Sequence, residues 1–160
     1  EDQDDVRGDF VLKGGDIAGP GEFAPRLLFL FEGLIATVPS ENSRRHARAM
    51  KKGRWDEVID CYVTDSRMMA RLWDLSWRYG YAVDLITFLP KEAEKPLKER
   101  SDAERWPFGW VTSVNPEYLS RQVANDPTVA RIYVGNERDG VWFGGKTRWV
   151  PDPNVASLLE

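Results

Sequence analysis

The longest apolar run in the sequence is Arg-Leu-Leu-Phe-Leu-Phe-Glu-Gly-Leu-Ile-Ala-Thr-Val-Pro, residues 26–39, and a single acid interrupts it. From Leu27 to Phe31 five apolar residues follow one another, without the alternation of a half-exposed strand. Such a run suits a central strand covered on both faces, as in a parallel sheet. Glu32 and Gly33 stand where that strand would end. In open α/β sheets ligands gather outside the carboxyl ends of the strands. Glu32 is therefore the first candidate functional residue, set against the plainer alternative of an acid solvated in a loop.

A chain of 160 residues has the length of one domain and can bury roughly two-thirds of its unfolded surface. Hydrophobic content of 42% with 30% charged residues is that of a soluble globular protein. No apolar stretch reaches the ~18 residues that a membrane span needs, and no signal peptide is visible, so a membrane partner is not expected. The single cysteine, Cys61, excludes an internal disulfide and a cysteine-based metal cluster, and with one histidine a zinc site is not expected. A cytoplasmic setting fits these features. Residues 41–54 carry six Lys/Arg and one acid, a local charge of +5, so the remainder sums to −9 within a total of −4. That asymmetry argues against a general nucleic-acid binder, while leaving room for one anion in one place.

Residues 1–25 read as an acidic, glycine-rich N-terminal arm, residues 26–150 as one α/β domain and residues 151–160 as a C-terminal tail. Beyond the opening strand, Arg44, Arg48, Lys51 and Lys52 fall at i, i+4, i+7 and i+8, one face of a helix that Gly53 ends. Glu57 to Val63 reads as a strand. Thr64-Asp65-Ser66 then offers an N-cap, and Met68, Met69, Leu72, Trp73, Ser76 and Tyr79 recur at helical spacing up to Gly80. That stripe is a core face, and both Leu72 and Trp73 are expected to be buried. Tyr81 to Leu89 reads as a strand, which makes helix, glycine and strand the second half of a βαβ unit. Residues 90–106 hold ten charged residues and two prolines, the composition of an exposed loop with helical pieces. Phe108–Val114 is a further strand, Asn115-Pro116 starts a helix running to about Asn125, and Val129–Val134 is the next buried strand. Val141–Val150 looks like a last strand or hairpin.

Gly140, four residues, then Gly145-Lys146-Thr147 match the spacing of a P-loop. A P-loop must open a helix whose N-terminus binds the phosphates. Arg148-Trp149-Val150-Pro151-Asp152-Pro153 cannot form that helix, so the match is set aside.

A buried strand ending in an acid-glycine pair, a helix leading through glycine to a strand ending in Thr87, and a later strand ending in Val-Gly-Asn-Glu-Arg-Asp are similar in order to the haloacid dehalogenase-like superfamily. The resemblance covers roughly residues 26–150 and implies a three-layer Rossmann-like domain with a mainly parallel sheet. In that family the first strand ends in an aspartate nucleophile, followed two positions later by a general-acid aspartate and then glycine. A Thr or Ser binds the phosphate, a basic residue steadies the intermediate, and Gly-Asp with a later Asp binds magnesium. Carried over, Gly33 fixes Glu32 at the general-acid position and Leu30 at that of the nucleophile. Thr87 matches the phosphate-binding hydroxyl, Arg121 the basic residue, Asn136 the first metal acid and Asp139 the later one. Leucine has no lone pair to attack phosphorus, and an amide is a poorer ligand for a hard cation than a carboxylate. The resemblance therefore implies a catalytically silent domain, without cofactor, that works as a binding or structural protein with another protein or a second copy of itself. The alternative is an atypical metal-dependent phosphohydrolase using Glu32, Asp139 and magnesium. A weaker alternative is a nucleic-acid-contacting module working through the basic helix at 44–54. Leu30, Glu32, Thr87 and Asn136 are expected to converge on one crevice.

Overall fold

The structure is a computed structural model that describes residues 25–114, 119–151 and 158. The arm expected over residues 1–25 lies outside these except for Pro25, and of the tail only Pro151 and Leu158 are described. Among the described residues, five strands form one sheet: β1 (Arg26–Leu30), β4 (Ala82–Thr87), β5 (Val111–Ser113), β6 (Val129–Val134) and β7 (Thr147–Trp149). Their order is β5-β4-β1-β6-β7, and every pairing is parallel. The unalternating run places β1 in the centre, hydrogen-bonded to β4 on one side and β6 on the other. The segments read as strands at 27–31, 81–89 and 129–134 thus supply three adjacent parallel strands, with β1 between β4 and β6. Two further short strands, β2 (Ala36–Thr37) and β3 (Val63–Thr64), pair antiparallel beside the sheet.

Helices cover both faces, so the domain has three layers. Odd-numbered β1 residues Leu27 and Phe29, with Val83 and Leu85 of β4 and Tyr133 of β6, face the larger core. There they meet α1 (Ser43–Lys52) through Ala49, α2 (Trp55–Asp60) through Val58 and Ile59, and α3 (Ser66–Arg78) through Met68, Leu72 and Leu75. Helix α4 (Glu94–Ala103) adds Leu97. Phe29 stacks on Tyr133 with ring centroids 4.6 Å apart. Even-numbered Leu28 and Leu30 face the opposite layer with Ile86, Ile132 and Val134, where Leu119 and Val123 of α5 (Leu119–Ala124) close over them. Among the described residues, no helix is long and apolar enough to cross a membrane.

Three local readings change. Glu57–Val63 is not a strand: Trp55–Asp60 is helical and only Val63–Thr64 is extended. Trp55, Val58 and Ile59 recur at i, i+3 and i+4, and Val58 and Ile59 are buried, so helical spacing outweighs the strand preference of the β-branched pair. On α3, Leu72 is fully buried but Trp73 is 39% exposed. The seam runs Met68, Leu72, Leu75, which rotates Trp73 to its flank and leaves Trp77 in solvent. Asp65 caps this helix as expected, accepting from the N–H groups of Arg67 and Met68. Finally, Val141–Val150 is mostly two tight helical turns, Glu137–Trp142 and Gly144–Lys146, with strand only from Thr147 to Trp149. The predicted start of the helix at Asn115-Pro116 lies outside the described residues.

A buried acid marks the amino-terminal half of the sheet. Asp84 on β4, its side chain 3% exposed, accepts from Arg26 Nε on β1 at 2.8 Å. The Trp110 backbone N–H donates to its other oxygen at 2.8 Å.

Candidate functional site

The opposite edge holds the residues singled out in the sequence. Where β1 ends, the chain makes one wide helical turn, Phe31–Ile35, interrupted by Glu32 in extended conformation and by Gly33 at φ 86°. That φ belongs to the left-handed region, where a side chain is strained, and a Cβ on Gly33 would stand 2.6 Å from Asn136 Nδ2. The exit of β6 presses against the same turn: a Cβ on Gly135 would lie 2.2 Å from the Gly33 carbonyl oxygen. The sheet order reverses here, because the chain leaves β1 towards β4 and returns on the far side at β6. The crevice expected at such a switch point is therefore occupied at this level by the backbones of Gly33 and Gly135.

The extended conformation at Glu32 carries its carboxylate to the end of β4. Thr87 Oγ1 donates to Glu32 Oε2 at 2.7 Å. The Phe88 backbone N–H lies 3.2 and 3.1 Å from the two carboxylate oxygens and donates to them. The Leu89 N–H in turn donates to Thr87 Oγ1 at 3.1 Å, so the hydroxyl is used both ways. Burial pushes the Glu32 carboxyl above its ordinary range, and the Thr87 hydroxyl and backbone N–H groups only partly offset this. Nearby Tyr62 is raised as well, first by its own burial and then by the Glu32 charge.

Leu30 is wholly buried among Leu28, Ile86, Val114, Val134 and Phe143. Phe143, also buried, stacks nearly parallel on Phe88 with centroids 6.0 Å apart. The position matched to a nucleophile is thus part of an apolar layer that two aromatic rings extend. Asn136 is exposed beside Gly33, and Asp139 sits on the turn after it, its N–H donating to the Asn136 carbonyl at 3.0 Å. Arg121 is exposed on α5, whose chain is already returning towards the amino end of β6. The structure therefore joins Glu32 to Thr87 directly, sets Asn136 against the neighbouring glycine, and shows no bond from Asp139 or Arg121 to that pair. Among the described residues, no group of three His, Cys, Asp or Glu side chains could hold a metal ion.

Gly140–Thr147 leads into β7 rather than a helix, and Thr147 Oγ1 donates to the Gly140 carbonyl at 3.0 Å, so the P-loop match has no structural counterpart. Two features escaped the sequence reading. One is Phe143, whose setting of Trp, Gly and Val carries no periodic signal. The other is Asp84, a lone acid in an apolar strand and so the same kind of interruption that drew notice to Glu32. Comparison with protein-family models, curated proteins and solved structures finds no match to this chain.

Proposed function

We propose that the chain is a catalytically silent domain of the haloacid dehalogenase-like type, working as a binding or structural protein with another protein or a second copy of itself. The strand order, with β1 central and the Glu32 turn at its carboxyl end, supports the family reading. The observation that carries the silence is the state of the two key positions. Leu30 belongs to the core, and the Glu32 carboxylate is already held by Thr87 and Phe88. A phosphate seeking the Thr87 hydroxyl and the Phe88 N–H would have to displace an anion that the protein itself supplies. Glu32 in this reading ties strand ends together and leaves no nucleophile behind it.

One observation favours a second reading. A partly buried acid whose pKa is raised has the poise of a general acid, and such groups gather at catalytic sites. The two readings separate in one assay. The purified chain is incubated with a general phosphatase substrate and magnesium, alongside calorimetry with magnesium and a phosphate analogue. The silent domain gives neither turnover nor metal-dependent binding. Metal-dependent hydrolysis that Glu32→Gln abolishes would replace it with the atypical hydrolase.

A further inference from the structure

Helices α3 and α4 pair several cations with nearby acids: Arg78 with Asp74, Lys98 with Asp102 and Arg100 with Glu104. Helix α1 does not. It carries Arg44, Arg45, Arg48, Lys51 and Lys52 and no acid. Arg45 turns towards α2 and pairs with Glu57 at 3.1 Å and Asp60 at 2.8 Å. Arg44, Arg48, Lys51 and Lys52 are exposed, and among the described residues none has an acidic partner. Arg44 and Arg45 lie in its first turn, where positive charge opposes the helix dipole, while Lys51 and Lys52 in the last turn favour it. Of its ten residues only Ala49 is buried. Four exposed cations on one helix face, with no acid among the helix's own residues to balance them, are a feature that folding alone does not require.

We propose that Arg44, Arg48, Lys51 and Lys52 form a docking face for an acidic polypeptide segment of a partner protein. The four positions share one side of the helix over about 12 Å, which suits a short run of carboxylates, and each guanidinium can grip a carboxylate through two parallel bonds. A single-stranded nucleic acid is less well matched, because residues 43–52 contain no Phe, Tyr or Trp on which a base could stack, and the one ring there, His46, packs edge-on against Tyr62 with centroids 5.3 Å apart. A long polyanion would also run on past the face into a chain whose remaining residues sum to −9. An anionic membrane calls for an apolar face beside the basic one, and Met50 is the only large apolar side chain that α1 exposes. The inference does not depend on a silent carboxyl edge; a hydrolase could dock its partner in the same way.

The test is fluorescence anisotropy of labelled octaglutamate added to the whole chain at low ionic strength, with oligouridylate of equal length and phosphatidylserine vesicles as comparators. Octaglutamate is expected to bind, to weaken as salt rises, and to exceed both comparators by at least about tenfold. Replacing Arg44, Arg48 and Lys51 together by Glu should reduce binding at least about tenfold while the thermal midpoint changes little, since the acid gained in the first turn offsets the base lost from the last. The triple alanine variant, richer in helix propensity, gives the same reading should charge reversal disturb the fold. Lys91→Glu, an exposed change elsewhere, should leave binding intact. Failure of octaglutamate to bind, tighter binding of either comparator, or an equal loss in the Lys91 variant each overturns the proposal.

Discussion

At the scale of single residues, Glu32 makes folding sensitive to protons. Its folded pKa lies above the ordinary 4.5, so the native state favours the protonated form. The stability this contributes is full below the unfolded value and is lost as pH rises through the folded one. Denaturant midpoints of the protein and of Glu32→Gln, taken from mildly acidic to neutral pH, should therefore diverge across that window, the natural chain falling relative to the variant. A difference independent of pH would mean that Glu32 titrates as a solvated acid. Thr87→Val removes the donor to Glu32 and the acceptor for the Leu89 N–H and should cost about 1–3 kcal/mol in urea unfolding. Gly135→Ala sets a methyl group against the Gly33 carbonyl, backbone against backbone, and should cost about 3 kcal/mol or more. The sequence made Glu32 and Thr87 legible because each interrupts or ends an apolar run. It could not reveal that they bond to each other, since that depends on Glu32 being extended inside an otherwise helical turn.

At the scale of elements, the stripe on α3 separates what periodicity settles from what it leaves open. Leu72→Ala should cost about 2–5 kcal/mol, whereas Trp73→Ala should cost under about 1 kcal/mol, both by chemical denaturation. Equal costs would put the buried seam on the wrong side of the helix. Spacing of three and four identified the helix and its cap at Asp65, but Leu72 and Trp73 are adjacent and both apolar, so pattern alone could not choose between them. Only packing against β4 and the Phe31–Ile35 turn does so. A similar ambiguity explains why part of Trp55–Asp60 reads as a strand in the sequence: six residues show the helical period too briefly to be told from a β-branched run, although in the fold that spacing decides. The short segment Thr147–Trp149 pairs as a strand because β6 offers it an edge, which no local signal announces.

At the scale of the molecule, the central position of β1 was legible because a run buried on both faces has nowhere else to go in a sheet. Native-state hydrogen exchange should reflect that order, with the β1 and β4 amides slowest and the edge strands β5 and β7 opening first. Slower exchange at β7 than at β1 would contradict the sheet order. The order of β6 and β7 beyond β1 was less legible, being set by crossover geometry that leaves little trace in the sequence. One consequence follows from how β1 and β4 are joined. Near one end of the pair a base on β1 meets an acid on β4, Arg26 with Asp84; beyond the other end an acid after β1 meets donors from β4, Glu32 with Thr87 and Phe88. If β4 slid by one residue against β1, Asp84 would turn to the other face and lose its guanidinium, and the Glu32 carboxylate would lose its donors together. Either acid left buried without partners would cost several kcal/mol. The two ties thus act as opposed locating pins, and a chain that first zips these strands one step out of alignment has to separate them before it can go on folding.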